Sequence, residues 1–180
     1  AQNLSTEGND FWLGFMDSWL QSSNNQHVLE LYISADDSTS GYLEMPLAGW
    51  FTPINFCVVP GVTTRLVIPN EAMAQGTNTI ESKGIHIETA DDVSVYAMNK
   101  RQWSADMAVV LPTYSLSNDY YVLSHWEDGN RNNNDNSDSE FLIVAAGDST
   151  RIEIIPSVNT EGGNLAGVPF YVTLDRGEVY

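Results

Sequence analysis

The sequence predicts an all-β fold, an antiparallel β-sandwich or jelly-roll-like domain, built from a duplicated unit whose second copy is incomplete. Three observations predict it. Apolar residues recur with period two in short runs, the spacing that puts alternate side chains on one face of a strand. The runs are bounded by Gly, Pro, Asn and Asp, which supply turn conformations and local backbone hydrogen bonds. The chain also matches itself at an offset of 111 residues, Leu31 falling on Leu142 and Thr39 on Thr150.

In chain order the alternation predicts strands over residues 11–16, 27–34, 41–45, 54–59, 63–68, 84–89, 93–99, 107–111, 120–124, 140–145, 151–155 and 169–174. Many of these runs are rich in Val, Ile, Tyr and Phe, which suit a pleated, half-buried surface. Helical turns are expected only near 69–75 and 115–118. Asp91-Asp92, between Ile85-His86-Ile87-Glu88 and Val93-Ser94-Val95-Tyr96, reads as a hairpin connection. Strands at this spacing with turn chemistry between them point to a sandwich or barrel.

The self-match runs in order through several elements. Leu31-Tyr32-Ile33-Ser34-Ala35-Asp36-Asp37-Ser38-Thr39 answers Leu142-Ile143-Val144-Ala145-Ala146-Gly147-Asp148-Ser149-Thr150. Phe56-Cys57-Val58 answers Phe170-Tyr171-Val172, and Pro60-Gly61-Val62 answers Arg176-Gly177-Glu178. The pattern predicts a strand, an Asp-Ser-Thr turn, a return strand, another strand and a Gly turn. Asp and Ser at such a turn bond nearby backbone N–H groups, which explains them without a ligand. Residues 1–110 form the first β unit and residues 111–180 the start of the second, together one continuous module. Strands that follow Gly61 in the first unit lack counterparts after Gly177. The sequence is then part of a longer chain, the preferred reading, or another chain completes an open sheet edge.

Composition narrows the function. Of 180 residues, 24 are acidic and 7 basic, a net charge of −17, and 42% apolar residues are enough for a core. So negative a field disfavours nucleic acid and anionic membrane surfaces. The apolar runs are far too short to span a bilayer as helices. The single cysteine, Cys57, excludes an intrachain disulfide and reads as a buried core thiol. The start Ala1-Gln2-Asn3 and only two lysines, Lys83 and Lys100, fit the mature end of an exported, extracellular protein after signal-peptide cleavage.

Catalysis lacks parts. His27 ends a polar loop, His86 reads as a solvated strand residue, and His125 stands before Trp126, Glu127 and Asp128 without a nucleophile motif. The loop from Glu127 to Glu140 is rich in carboxylate and amide oxygens, the hard donors that calcium takes. Asp128, Asp135, Asp138 and Glu140 are its candidate calcium ligands, although the spacing is not that of an EF-hand, and a bare polar loop explains the composition equally. Trp12 reads as core. Trp19, Trp50, Trp103 and Trp126 lie at loop or strand-end positions beside polar groups and are candidate platforms for a sugar ring or a protein loop. The Asp-Ser-Thr turns also fit an O-glycosylation target.

The sequence resembles the N-terminal domain family of IgGFc-binding proteins, shared by large bacterial cell-surface proteins. The resemblance rests on Gly8-Asn9-Asp10-Phe11-Trp12-Leu13-Gly14-Phe15-Met16, on Lys83-Gly84-Ile85-His86-Ile87 and on Val93-Ser94-Val95-Tyr96-Ala97-Met98-Asn99. It continues through Asp106, Val109-Val110-Leu111-Pro112, Asp119-Tyr120-Tyr121-Val122, Glu140-Phe141-Leu142-Ile143-Val144-Ala145 and Leu174-Asp175-Arg176-Gly177-Glu178-Val179-Tyr180. The resemblance implies a non-catalytic, extracellular β-rich module serving adhesion or surface assembly. Its expected partners are a surface protein or glycan, or a second copy through an open edge. The alternatives are a carbohydrate-binding module of a secreted enzyme and a structural spacer in a filament or stalk. Immunoglobulin binding does not transfer with the family name.

Overall fold

In the computed structural model, which describes residues 5–17, 27–101, 105–123 and 139–180, eleven strands and two single 3-10 turns follow one another. The first eight strands are β1 (Glu7–Leu13), β2 (Phe15–Met16), β3 (Val28–Ser34), β4 (Thr39–Glu44), β5 (Ile54–Val58), β6 (Thr64–Ile68), β7 (Met73–Ala74) and β8 (Ile85–Lys100). They are followed by β9 (Ala105–Val110), β10 (Thr150–Ile154) and β11 (Phe170–Leu174). All pairings are antiparallel except the short β2–β7 ladder. The all-β expectation holds. Among the described residues no helix is long and apolar enough to cross a membrane.

Seven strands form one sheet, and β8 runs through its middle. Its first part pairs with β1 on one side (Phe11↔Ile87) and β4 on the other (Leu43↔Ile87). Its second part pairs with β9 (Val95↔Val110) and β3 (Ile33↔Val95). Between the two parts, from Gly8↔Val93 to Asp10↔Glu88, two residue steps on β1 span five on β8. The surplus is a large bulge at 89–92. Thr89 Oγ1 donates to the Asp91 carbonyl (2.8 Å), and the Asp91 N–H donates to Thr39 Oγ1 (3.1 Å). Asp91-Asp92 is therefore no hairpin: the strand continues in one direction and the polar residues fill a bend in it.

The neighbouring strands break on the same line. β3 and β4 run the same way along β8, so 35–38 interrupts a strand rather than returning it. β5 and β6 pair with β4 and β3, and six residues along each strand separate Thr39↔Val58 from Ile33↔Thr64. Pro60 and Gly61 fill that break, with Gly61 at φ +74°. Leu29, Leu31, Ile33 and Val95 beyond the break and Phe11, Leu43, Ile85 and Ile87 before it are all fully buried in one cluster. The sheet therefore folds over along the line of breaks, and its halves cover one core as a sandwich would. Each such aliphatic side chain contributes about 1.5–3 kcal/mol of burial free energy.

The same plan occurs a second time. Val144 pairs with Val179 and Thr150 with Leu174, with a break at 146–149 on one strand and at 175–177 on the other. Gly177 takes φ +83°, as Gly61 takes +74°. The Asp148 carboxylate accepts the Arg176 N–H (3.2 Å), and the Asp175 carboxylate accepts the Ser149 N–H (2.8 Å), so each turn caps the other. The Asp-Ser-Thr segment links β3 to β4 in the first case, and an isolated bridge at Val144 to β10 in the second, where the strand expected at 140–145 is reduced to that bridge.

Three further expectations change. Residues 120–123 are irregular rather than a strand, with Tyr121 and Leu123 almost wholly exposed. Cys57 is exposed, because Phe56 and Val58 on either side take the inward positions of β5. Trp12 points outward for the same reason, since Phe11 and Leu13 are the buried residues of β1.

The second ribbon docks on the sheet through backbone. Glu81 and Val179 exchange N–H to carbonyl bonds at 2.9 Å, and the Gly84 N–H donates to the Gly177 carbonyl at 2.9 Å. A Cβ on Gly84 would stand 2.6 Å from that carbonyl oxygen. Gly84→Ala is therefore expected to destabilise the protein by about 1–3 kcal/mol through forced separation of the two backbones. The measurement is the urea midpoint of the variant against the unaltered chain; equal midpoints would mean the docking is not as described.

Candidate binding faces

The outward positions of β1, β8 and β4 carry a compact polar array. Strand register sets Trp12 and Glu44 on either side of His86, and Asp10 and Tyr42 on either side of Glu88. The Trp12 ring stacks on His86 with centroids 4.4 Å apart and planes 17° from parallel, while Tyr42 meets His86 edge-on at 6.0 Å. His86 is 7% exposed, not the solvated residue its strand position implied. Trp12 and Tyr42 close over it.

Both nitrogens of that ring face carboxylates. Nε2 lies 2.9 Å from Asp10 Oδ2, and Nδ1 lies 3.3 Å from Glu44 Oε1. Thr113, in the 3-10 turn Thr113–Ser115, donates its hydroxyl to Asp10 Oδ1. Burial works against ionisation of Asp10, but the bonds from Thr113 and His86 and the charges of His86 and Arg176 hold its carboxyl below the usual range. Tyr42 donates to Glu88 Oε2 at 2.6 Å, and this bond, with burial and the charge of Glu88, pushes its phenol up to about 12. Asp10, His86 and Glu88 bring one ligand atom each within 4.8 Å of one another, the metal-ligating group found among the described residues.

The other half of the sheet presents a different outer face. Register places Val109 and Met107 of β9 beside Tyr96 and Met98 of β8, then Tyr32 and Glu30 of β3, then Arg65 and Val67 of β6. Met107, Val67, Val109 and Tyr96 are 54%, 51%, 40% and 40% exposed. Glu30, 2% exposed, lies within this apolar face and accepts from Arg65 Nε (2.8 Å) and from the Tyr32 hydroxyl (2.6 Å).

Of the residues singled out from sequence, Trp50 is half exposed and meets Phe51 edge-on at 5.8 Å. Glu140 is exposed. Trp19, Trp103, Trp126, Asp128, Asp135 and Asp138, and with them nearly all of the calcium loop, lie outside the described residues, as does His125. The residues that sequence reading missed are Tyr42, Glu44 and Glu88. Their signal was present as polar residues at alternate positions, Asp10/Trp12, Tyr42/Glu44 and His86/Glu88. What brings them together is strand order, which alternation does not encode.

These faces stand on an all-β domain whose sheets are antiparallel apart from one short ladder. Residues 106–180 match the model of the family described as IgGFc binding protein, which bears out the family resemblance drawn from the sequence. That family consists of non-enzymatic binding domains, generally of extracellular or surface proteins. The matched stretch holds β9, Thr113, the second ribbon and the Gly177 turn, whereas the motifs at 8–16 and 83–99 lie before it. No curated protein and no solved structure matches the chain.

The Glu30 carboxyl is held below its ordinary value, first by the Arg65 hydrogen bond and then by that of Tyr32, with burial opposing. A depressed carboxyl stabilises the fold fully above its unfolded value, about 4.3, and loses that contribution as pH falls through the lower folded value. Acid unfolding below about pH 4.3 should therefore be less steep for Glu30→Gln than for the unaltered chain. Arg65→Met, which leaves the carboxylate unpaired, should lower the melting temperature at pH 7, by less than for a fully buried pair because Arg65 is half exposed. Melting curves from pH 3 to 7 check both.

Proposed function

We propose that this chain is a non-catalytic extracellular domain of a bacterial cell-surface protein that serves adhesion or surface assembly by protein contact. The observation that carries the reading is the outward face of β9, β8 and β3, where Met107, Val109, Tyr96 and Tyr32 stand together on paired strands. An apolar and aromatic face with one charged pair set into it has the make-up of a protein-contact surface. The match of residues 106–180 to the IgGFc binding protein family supports the binding role. The net charge of −17 favours a partner with basic groups at its rim.

A glycan-binding module is the second reading, favoured by Trp50, a half-exposed indole steadied edge-on by Phe51. Calcium in the Glu127–Glu140 loop would fit either role as a brace for that loop.

The test is the double variant Met107→Glu/Val109→Glu in a bead-adhesion assay against immobilised extracellular proteins, immunoglobulin among them. Both positions are exposed, so melting should change by no more than about 0.5 kcal/mol, while adhesion should fall at least about tenfold, the effect of losing a central contact. Adhesion by both forms equally, or by neither, would overturn the protein-contact reading; binding to a glycan surface lost on Trp50→Ala would favour the second.

A further inference from the structure

The structure assigns a divalent transition-metal site of the Zn2+ class to Asp10, His86 and Glu88 on the outward face of β1 and β8. Glu44 Oε1 sits 3.3 Å from His86 Nδ1 and Asp10 Oδ2 2.9 Å from Nε2, so a carboxylate faces each ring nitrogen and fixes the plane of the ring. A divalent ion held by Nε2, Asp10 and Glu88 would take the place of the proton that the ring shares with Asp10. A histidine whose second nitrogen is held by a carboxylate is the arrangement that orients a metal-ligating imidazole.

The other ligands are held in the same way. Thr113 occupies Asp10 Oδ1 and Tyr42 occupies Glu88 Oε2, so each carboxylate is steered by a hydroxyl from a neighbouring element. The three ligand atoms lie within 4.8 Å of one another. Metal–ligand bonds of about 2.1 Å put tetrahedral ligand atoms about 3.4 Å apart, so small side-chain rotations close the site. Asp10, Glu44 and Glu88 are three carboxylates, and among the described residues Arg176 is the permanent cation whose charge reaches Asp10. One imidazole with two carboxylates selects borderline cations over calcium and magnesium, which take oxygen alone.

The location gives the ion a structural task. Asp10, His86 and Glu88 come from two strands just before the bend in β8, and Trp12, stacked on His86, is also packed against the Gly177 turn of the second ribbon. A bound ion would tie β1 to β8 where their ladder is interrupted.

The test is calorimetric titration of the metal-stripped full chain with Zn2+, and separately with Ca2+. An acidic surface takes up cations loosely, so only uptake that responds to these residues counts. Zn2+ is expected to bind at one ion per chain with the melting temperature rising on addition, and Glu88→Gln, at an exposed position, should weaken it at least about tenfold. Glu44→Gln should weaken it by about 10–100-fold through loss of ring orientation. Because His86→Gln could unfold the chain, the 15N resonance of His86 Nε2 provides a second readout, moving on Zn2+ addition and not on Ca2+ addition. Absence of one-to-one Zn2+ binding, binding unchanged by Glu88→Gln, or an unmoved Nε2 resonance would each overturn the assignment.

Discussion

One strand carries the architecture. Among the described residues β8 alone is paired on both sides along both halves of the main sheet, and its bulge at 89–92 is where that sheet turns over. Were β8 straight, Ile85 and Ile87 would line a flat sheet at one end and Val93 and Val95 at the other, with nothing to bury against. The bend brings the two sets together in one core. Thr39 and Thr89 make it tolerable, because their hydroxyls pair with the Asp91 backbone inside the bend.

The same bend divides the outer surface. Before it, β1, β4 and β8 expose the His86 array, polar and strongly anionic; beyond it, β3, β6, β8 and β9 expose Tyr96, Met107, Val109 and Val67 around the Glu30–Arg65 pair. One face suits a cation and the other a protein surface, and both hang on the same strand. A change that shifted the register of β8 by one residue would invert core and surface on both sides of the bend.

Strand existence was largely legible from alternation: 27–34, 54–59, 63–68 and 169–174 fall within a residue of β3, β5, β6 and β11. The interruptions were legible too, because Asp-Ser-Thr and Gly61 or Gly177 stand at the breaks in both stretches. Direction was not. Asp91-Asp92 and Asp36-Asp37 have the residue chemistry of a reversing turn, and a bulge uses the same chemistry, so composition does not tell a hairpin from a bend. Cys57 and Trp12 were misplaced for a related cause: an apolar run such as 54–59 gives no phase, and only the pairing of Gly41 with Phe56 fixes which side faces the core. The His86 array stayed hidden because its members lie 42 and 76 residues apart in the chain.

The claim on which the account rests is that the two halves of β8 belong to one cooperative unit joined through the bend. Native-state hydrogen exchange tests it directly, by comparing opening free energies at amides in 85–88 with those in 94–100. The account predicts a common value for both groups, equal to that of global unfolding. Two separate values, with one half opening while the other stays protected, would contradict it.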